Sequence, residues 1–171
     1  MPASPTPCPA PASAPAPASS TGRIALVCAN RESEAVRRAA RAALAELQQA
    51  NPSAGAVDTF EVASVAEAPL LAKKLARSGR YRAIIACGLD QGDAHAATGD
   101  GSPAVLEALR RVQCDTAVPV FPALLCGLPL RQPMAPRGVL ADQLAQQAQQ
   151  VAQDCLRQLQ QAGGEAPLPM G

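Results

Sequence analysis

The residue best suited to move a proton at neutral pH is His95, the single histidine of the chain, set in "GLDQGDAHAATGDGSP" (residues 88–103) between Asp93 and Asp100. An imidazole titrates close to neutrality, so it can give or take a proton where most side chains cannot; an exposed loop histidine without a role is the plain alternative. Arg31 and Arg137 fall after apolar runs, and a guanidinium fork suits phosphate, although an arginine in such a loop is often only solvated. Glu67 precedes a helical run, where a carboxylate is stabilised by the helix dipole with or without a ligand. Gly99 and Gly101 in "TGDGSP" could offer backbone amides to an anion. That stretch has no lysine and reads more simply as a helix entry.

Composition narrows the partners. The 171 residues are 48% hydrophobic, enough for one domain with a buried core. Only Phe60, Tyr81 and Phe121 are aromatic and the net charge is +1, which argues against nucleic-acid stacking and against attraction to phosphate backbones or anionic membranes. Small molecules and proteins are the expected partners. The six cysteines, Cys8, Cys28, Cys87, Cys114, Cys126 and Cys155, form no C-x-x-C pair, so buried free thiols in a reducing compartment are expected rather than a metal site. No apolar run approaches a membrane span and no signal-peptide pattern opens the chain, so a cytoplasmic location is expected.

The elements that must position these residues alternate. "MPASPTPCPAPASAPAPASSTG" (1–22) is Pro, Ala, Ser and Thr almost throughout and reads as a disordered tail; residues 163–171 read as a second. Between them, over 23–162, four apolar runs each precede an amphipathic pattern. "RIALVCA" (23–29) leads into a helix with Val36, Ala40, Leu44 and Leu47 inward and Arg37, Arg38, Arg41 and Glu46 outward. "VDTFEVA" (57–63) precedes a helix with Pro69 in its first turn and Gly79 after its end. "YRAIIACG" (81–88) precedes a helix expected to be capped by Ser102 with Pro103 first. "VPVFPALL" (118–125) precedes a long Gln-rich helix, about 138–161, with Leu140, Leu144, Val151 and Cys155 on one stripe. Such a pattern predicts an α/β fold, a three-layer α/β/α domain with a four-stranded parallel sheet of flavodoxin or Rossmann type. Pro119 and Pro122 place the fourth strand at an edge. Ligands of such sheets bind beyond the strand carboxyl ends.

"VASVAEAPLLAKKLARSGRYRAIIACG", continuing to "VLEALRRVQCDTAVPV", resembles 6,7-dimethyl-8-ribityllumazine synthase, an enzyme of riboflavin biosynthesis. The strongest parts are Glu67 to Ala76, the Gly-Arg-Tyr turn at 79–81 and "DTAVPV" at 115–120. The resemblance implies condensation of 5-amino-6-(D-ribitylamino)uracil with 3,4-dihydroxy-2-butanone 4-phosphate, without a cofactor or metal, in a pocket between subunits of a pentamer. It implies as partners a pyrimidine, a sugar-phosphate-derived small molecule, other copies of the chain, and riboflavin synthase. Carried over by position, Arg31 stands where the family stacks an aromatic ring on the pyrimidine, and Val62–Glu67 stands where the family has Val-Pro-Gly-Ala-Phe-Glu. Substrate binding is thereby expected of Arg31, then of Ala66 and Glu67, then of Leu89, Asp90 and Gln91 after the third strand, and of Phe121 and Pro122 on the fourth. Phosphate binding is expected of Gly92 and Arg137, and the catalytic proton transfer of His95, which reaches the family's histidine position only with a gap. The family's Gly-Thr-Lys-x-Gly-Asn-Lys-Gly segment has no counterpart.

Two functions stay open on these residues: a divergent transferase of this type with an eroded active site, and an inactive paralogue that keeps the oligomeric scaffold as a structural or ligand-binding protein. The tail bears on neither. Its lack of any periodic apolar pattern predicts that deleting residues 1–22 leaves the melting temperature nearly unchanged; a drop of several degrees in a thermal melt would show that it packs.

Overall fold

The structure, a computed structural model, describes residues 23–50, 57–90, 101–126 and 137–164. Both tails, apart from two residues of the second, lie outside the described residues, as do Gln91, Gly92 and His95. Within them the chain runs β1 (Arg23–Ala29), α1 (Glu34–Ala50), β2 (Val57–Val62), a single 3-10 turn (Val65–Glu67), α2 (Ala68–Arg77), β3 (Tyr81–Asp90), α3 (Gly101–Thr116), β4 (Val120–Cys126) and α4 (Arg137–Gly164). All strand pairs are parallel and the order is β2-β1-β3-β4. The expected three-layer α/β/α domain is therefore present, with β4 at an edge where Pro122 withholds no ladder bond that a central strand would need.

Parallel strands covered on both faces read as continuous apolar runs because neither face meets water. Ile24, Leu26 and Cys28 of β1, with Ala83, Ile85, Cys87 and Leu89 of β3, pack beneath α1 and α4. The intervening Ala25, Val27 and Ala29, with Ile84 and Ala86, pack beneath α2 and α3. On α1 the buried set is Ala35, Val36, Ala39, Ala40, Ala43 and Leu47, the helical stripe expected. Arg38 pairs with Asp142 at 2.7 Å, and Gln149 and Gln153 both donate to Glu46, so α1 and α4 lie side by side and start at the same end.

Three details differ from the sequence expectation. α3 begins at Gly101, so Ser102 lies inside the helix and Pro103 is its third residue; the first four amides of a helix have no partner within it, so proline is tolerated throughout that turn. α4 runs Arg137–Gly164, starting one residue before and ending three residues after the helix expected at about 138–161. Among the described thiols, Cys28, Cys87 and Cys155 are buried as expected, but Cys114 is exposed on α3. Burial pushes Cys28 up to about 11 and Cys155 to about 12, and raises Cys87 as well, so these thiols stay protonated at neutral pH. Among the described residues no helix is long and apolar enough to cross a membrane.

The amino ends of the strands hold a polar clasp. Arg23 forks onto both carboxylate oxygens of Asp58, one contact being 2.7 Å, and the buried Tyr81 donates its hydroxyl to Asp58 at 2.9 Å. Phe60 meets the Tyr81 ring edge-on at 5.8 Å. These contacts, Arg23 foremost, hold the Asp58 carboxyl below its usual range. A lowered folded-state value means that the contribution is present above the ordinary carboxylate range and is lost as pH falls through the folded value. Asp58→Asn is expected to lower the melting temperature at pH 7, with the gap to the parent closing as pH is lowered through the carboxylate range; equal melting at pH 7 would remove the clasp from the account.

Candidate active site

Parallel strands put all four carboxyl ends on one edge of the sheet, and the register shows what meets there. Ala29 pairs with Val62 and with Gly88, Gly88 with Leu124, and Asp90 with Cys126. β1 leaves this edge through Asn30, whose φ of 58° is a left-handed conformation that asparagine tolerates. Its amide donates to the Val62 carbonyl at 3.0 Å, and its carbonyl accepts from Ser33 at 3.0 Å. The chain thus turns directly into α1 and leaves Arg31 exposed on the rim.

Arg31 is not alone there. It forms an ion pair with Glu61, one residue before the end of β2, both side chains being about half exposed. The pair was not legible in the sequence, because thirty positions separate the partners and only the β1–β2 register brings them together. Its guanidinium is engaged by Glu61 while about half of the side chain stays exposed.

Beyond β2, the Ala63 amide donates to the Glu67 carboxylate at 3.1 Å, and the Glu67 amide donates to the Ser64 carbonyl at 3.2 Å. Glu67 therefore closes its own turn and precedes α2 at the N-cap position. Ala66 beside it is exposed. Val65, the buried residue of this turn, packs down toward Gly88. A Cβ at Gly88 would stand 3.0 Å from the Ala29 Cβ, 3.0 Å from Val65 Cγ2 and 3.3 Å from Leu124 Cδ2. The absence of a side chain at Gly88 lets three elements converge, a role that its place in the expected third strand does not by itself reveal.

The other expected site residues are distributed as follows. Leu89 is buried against the α1 and α4 layer, and Asp90 ends β3. Phe121 and Pro122 pair with Ile85 and Ala86, four and five residues short of the end of β4, or roughly 13–17 Å down the strand at about 3.3 Å per residue. Both lie away from the rim, Phe121 packed against the α1 and α4 layer. Arg137 is the first residue of α4, whose start lies beside that of α1. The rim thus brings together Arg31, Glu61, Ala66 and Glu67, with β3 ending between them and β4. His95, Gln91 and Gly92 lie outside the described residues.

A parallel sheet under two helical layers, with Arg31, Glu61 and Glu67 exposed at its carboxyl edge, defines an α/β protein of the doubly wound class, in which ligands generally bind at that edge. The family model described as 6,7-dimethyl-8-ribityllumazine synthase matches residues 21–162, and the chain belongs to that family. Among curated relatives, the 6,7-dimethyl-8-ribityllumazine synthase of Rhodococcus erythropolis is 46% identical over 69 residues, 40% of this chain and 44% of that protein. The 6,7-dimethyl-8-ribityllumazine synthase 2 of Rhodopseudomonas palustris is 36% identical over 102 residues, 60% of this chain and 55% of its own. That of Pseudomonas syringae pv. tomato is 32% identical over 103 residues, 60% and 61% of the two chains. The matches span about half the length of these relatives.

Because Ala29 Cβ is fixed to the backbone of β1, Gly88→Ala cannot be accommodated by a side-chain rotation alone. Overpacking of this kind costs roughly 1–3 kcal/mol, so denaturant unfolding should show a loss of that size with an unchanged m-value. An unchanged midpoint would mean that the convergence over Gly88 is loose.

Proposed function

We propose that the chain condenses 5-amino-6-(D-ribitylamino)uracil with 3,4-dihydroxy-2-butanone 4-phosphate, as a divergent transferase of the lumazine synthase type. The observation that carries this reading is the family match across residues 21–162, the whole span from β1 into α4. The rim is its stage. The Arg31 guanidinium, steadied by Glu61, offers a flat cationic face to the pyrimidine, and the turn closed by Glu67 shapes the neighbouring wall. The substrate-binding roles after β3 fall to Asp90 and Gln91, with Leu89 buried beneath them against the α1 and α4 layer, and the phosphate-binding roles to Gly92 and Arg137. An amine joining a ketone releases water, and the phosphate leaves as an anion; both steps move protons, which is the role given to His95.

The reading includes self-association as a pentamer, which would give Phe121 and Pro122 a place in a pocket shared with a neighbouring copy. Among the described residues both ends of the sheet, β2 and β4, are open edges. Leu70 and Val139 are exposed at 61% and 44%, apolar area that a subunit contact would cover.

Purified full-length protein incubated with both substrates is expected to develop lumazine fluorescence, and His95→Ala to lower turnover by about a hundredfold or more, with substrate affinity little changed. A silent His95→Ala in an active protein would remove that residue from the mechanism. Binding of the pyrimidine without turnover would instead favour the inactive paralogue, a reading suggested by Arg31 at the ring-stacking position and by Ala63-Ser64 where the family has Pro-Gly.

A further inference from the structure

The flank of β2 carries a second feature, which shares Arg31 with the rim. Thr59 and Glu61 are exposed there, on the same face as Val57, which packs against the α1 and α4 layer. Between this flank and α1 lies a groove of about 100 Å³ lined by Arg31, Arg37, Ala40, Arg41, Leu44 and Thr59. Ala40 and Leu44 make an apolar floor, Thr59 supplies a hydroxyl, and three guanidiniums stand around it. Arg37 and Arg41 are one helical turn apart, a like-charge spacing that works against the helix carrying it. Arg37 is engaged by Glu34, as Arg31 is by Glu61, through pairs that are about half exposed and open to competition. Among the described residues Arg41 has no partner.

We propose that this groove binds the phosphoryl group of a small molecule through Arg37 and Arg41, with Arg31 shared from the rim. The groove is shallow and open to solvent on one side, so a phosphoryl group can seat among the guanidiniums while the rest of its molecule stays outside. A tetrahedral dianion can direct separate oxygens at Arg31, Arg37 and Arg41, whereas a planar carboxylate reaches two forks at most. The double charge also decides the competition. With three guanidiniums against Glu34 and Glu61, the groove keeps one excess positive charge, and a dianion draws the shared guanidiniums more strongly than a monoanion does.

The test is calorimetric titration of the full chain at low ionic strength with inorganic phosphate, methyl phosphate and acetate. Saturable phosphate binding is expected, at least about tenfold tighter than acetate, weakening with added salt. Arg37→Gln and Arg41→Gln should each weaken it about fivefold or more while leaving circular dichroism and melting unchanged, as the side chains are exposed. Equal binding of methyl phosphate makes an ester the occupant; preference for inorganic phosphate makes the free ion the occupant. Failure to saturate, acetate binding as tight as phosphate, or an affinity unchanged in both variants overturns the proposal, the last because phosphate would then be held elsewhere, such as at the reaction site. Lumazine formation is not among the readouts, so failure here leaves the proposed reaction untouched, and loss of that activity leaves the groove untouched.

Discussion

Burial of β1 and β3 on both faces is the constraint on which the rest depends. From Ile24 to Ala29 and from Ala83 to Leu89 every residue is buried, and the side chains alternate between the two helical layers. A charged group in those stretches would be desolvated without a partner, at a cost of several kcal/mol for an unpaired ion. Polar function is thereby driven to the ends and outer edges of the sheet. Cys28 and Cys87, paired in register at its centre, illustrate the converse: burial raises both thiols, so they serve as packing groups and not as nucleophiles.

The two ends of the sheet then take different work. At the amino end the charges are consumed within the fold, with Arg23 and Tyr81 converging on Asp58 and tying the starts of three strands together. At the carboxyl end they remain half exposed. Arg31 meets Glu61 across two adjacent strand ends, and the Glu67 carboxylate caps a backbone amide in its own turn. The distinction follows from the helices: α1 and α2 begin over the carboxyl edge, and each helix start brings unpaired amides and partial positive charge to that side. The carboxyl edge is thereby the electropositive end of the sheet, before any particular side chain is considered.

How much of this could be read in the sequence depends on whether the cause is local. The strands β1 and β3 announce themselves because two covered faces leave no polar position, and α1 because Val36, Ala40 and Leu47 repeat at helical spacing. Pro122 marks an edge strand for a reason internal to its own ring. The 3-10 turn at Val65–Glu67 has no such signature, since "SVAE" carries no Gly or Pro and the turn is shaped by Val65 seating over Gly88. The Ser102 cap gave way to a helix starting at Gly101 because the unpaired first-turn amides do not dictate where among them a proline must sit. The Arg31–Glu61 pair and the arginine groove are products of register and layer packing, information that no window of residues contains.

On the proposed reading, Arg31 at the ring-stacking position changes how a pyrimidine would be held. An aromatic at the end of β1 would need only to be packed, and would present one apolar face. A guanidinium there must be restrained, because its flexible stem otherwise costs rotamer entropy each time a ligand orders it. Glu61 supplies that restraint by engaging the guanidinium, while about half of the side chain stays exposed. The same pairing ties the β1–α1 connection to the end of β2, so the position that would receive a pyrimidine and the strand that flanks it move as one. On the proposed reading, affinity for the ring is then coupled to the charge state of an exposed ion pair and becomes sensitive to salt, a dependence that a phenylalanine at the same place would not confer.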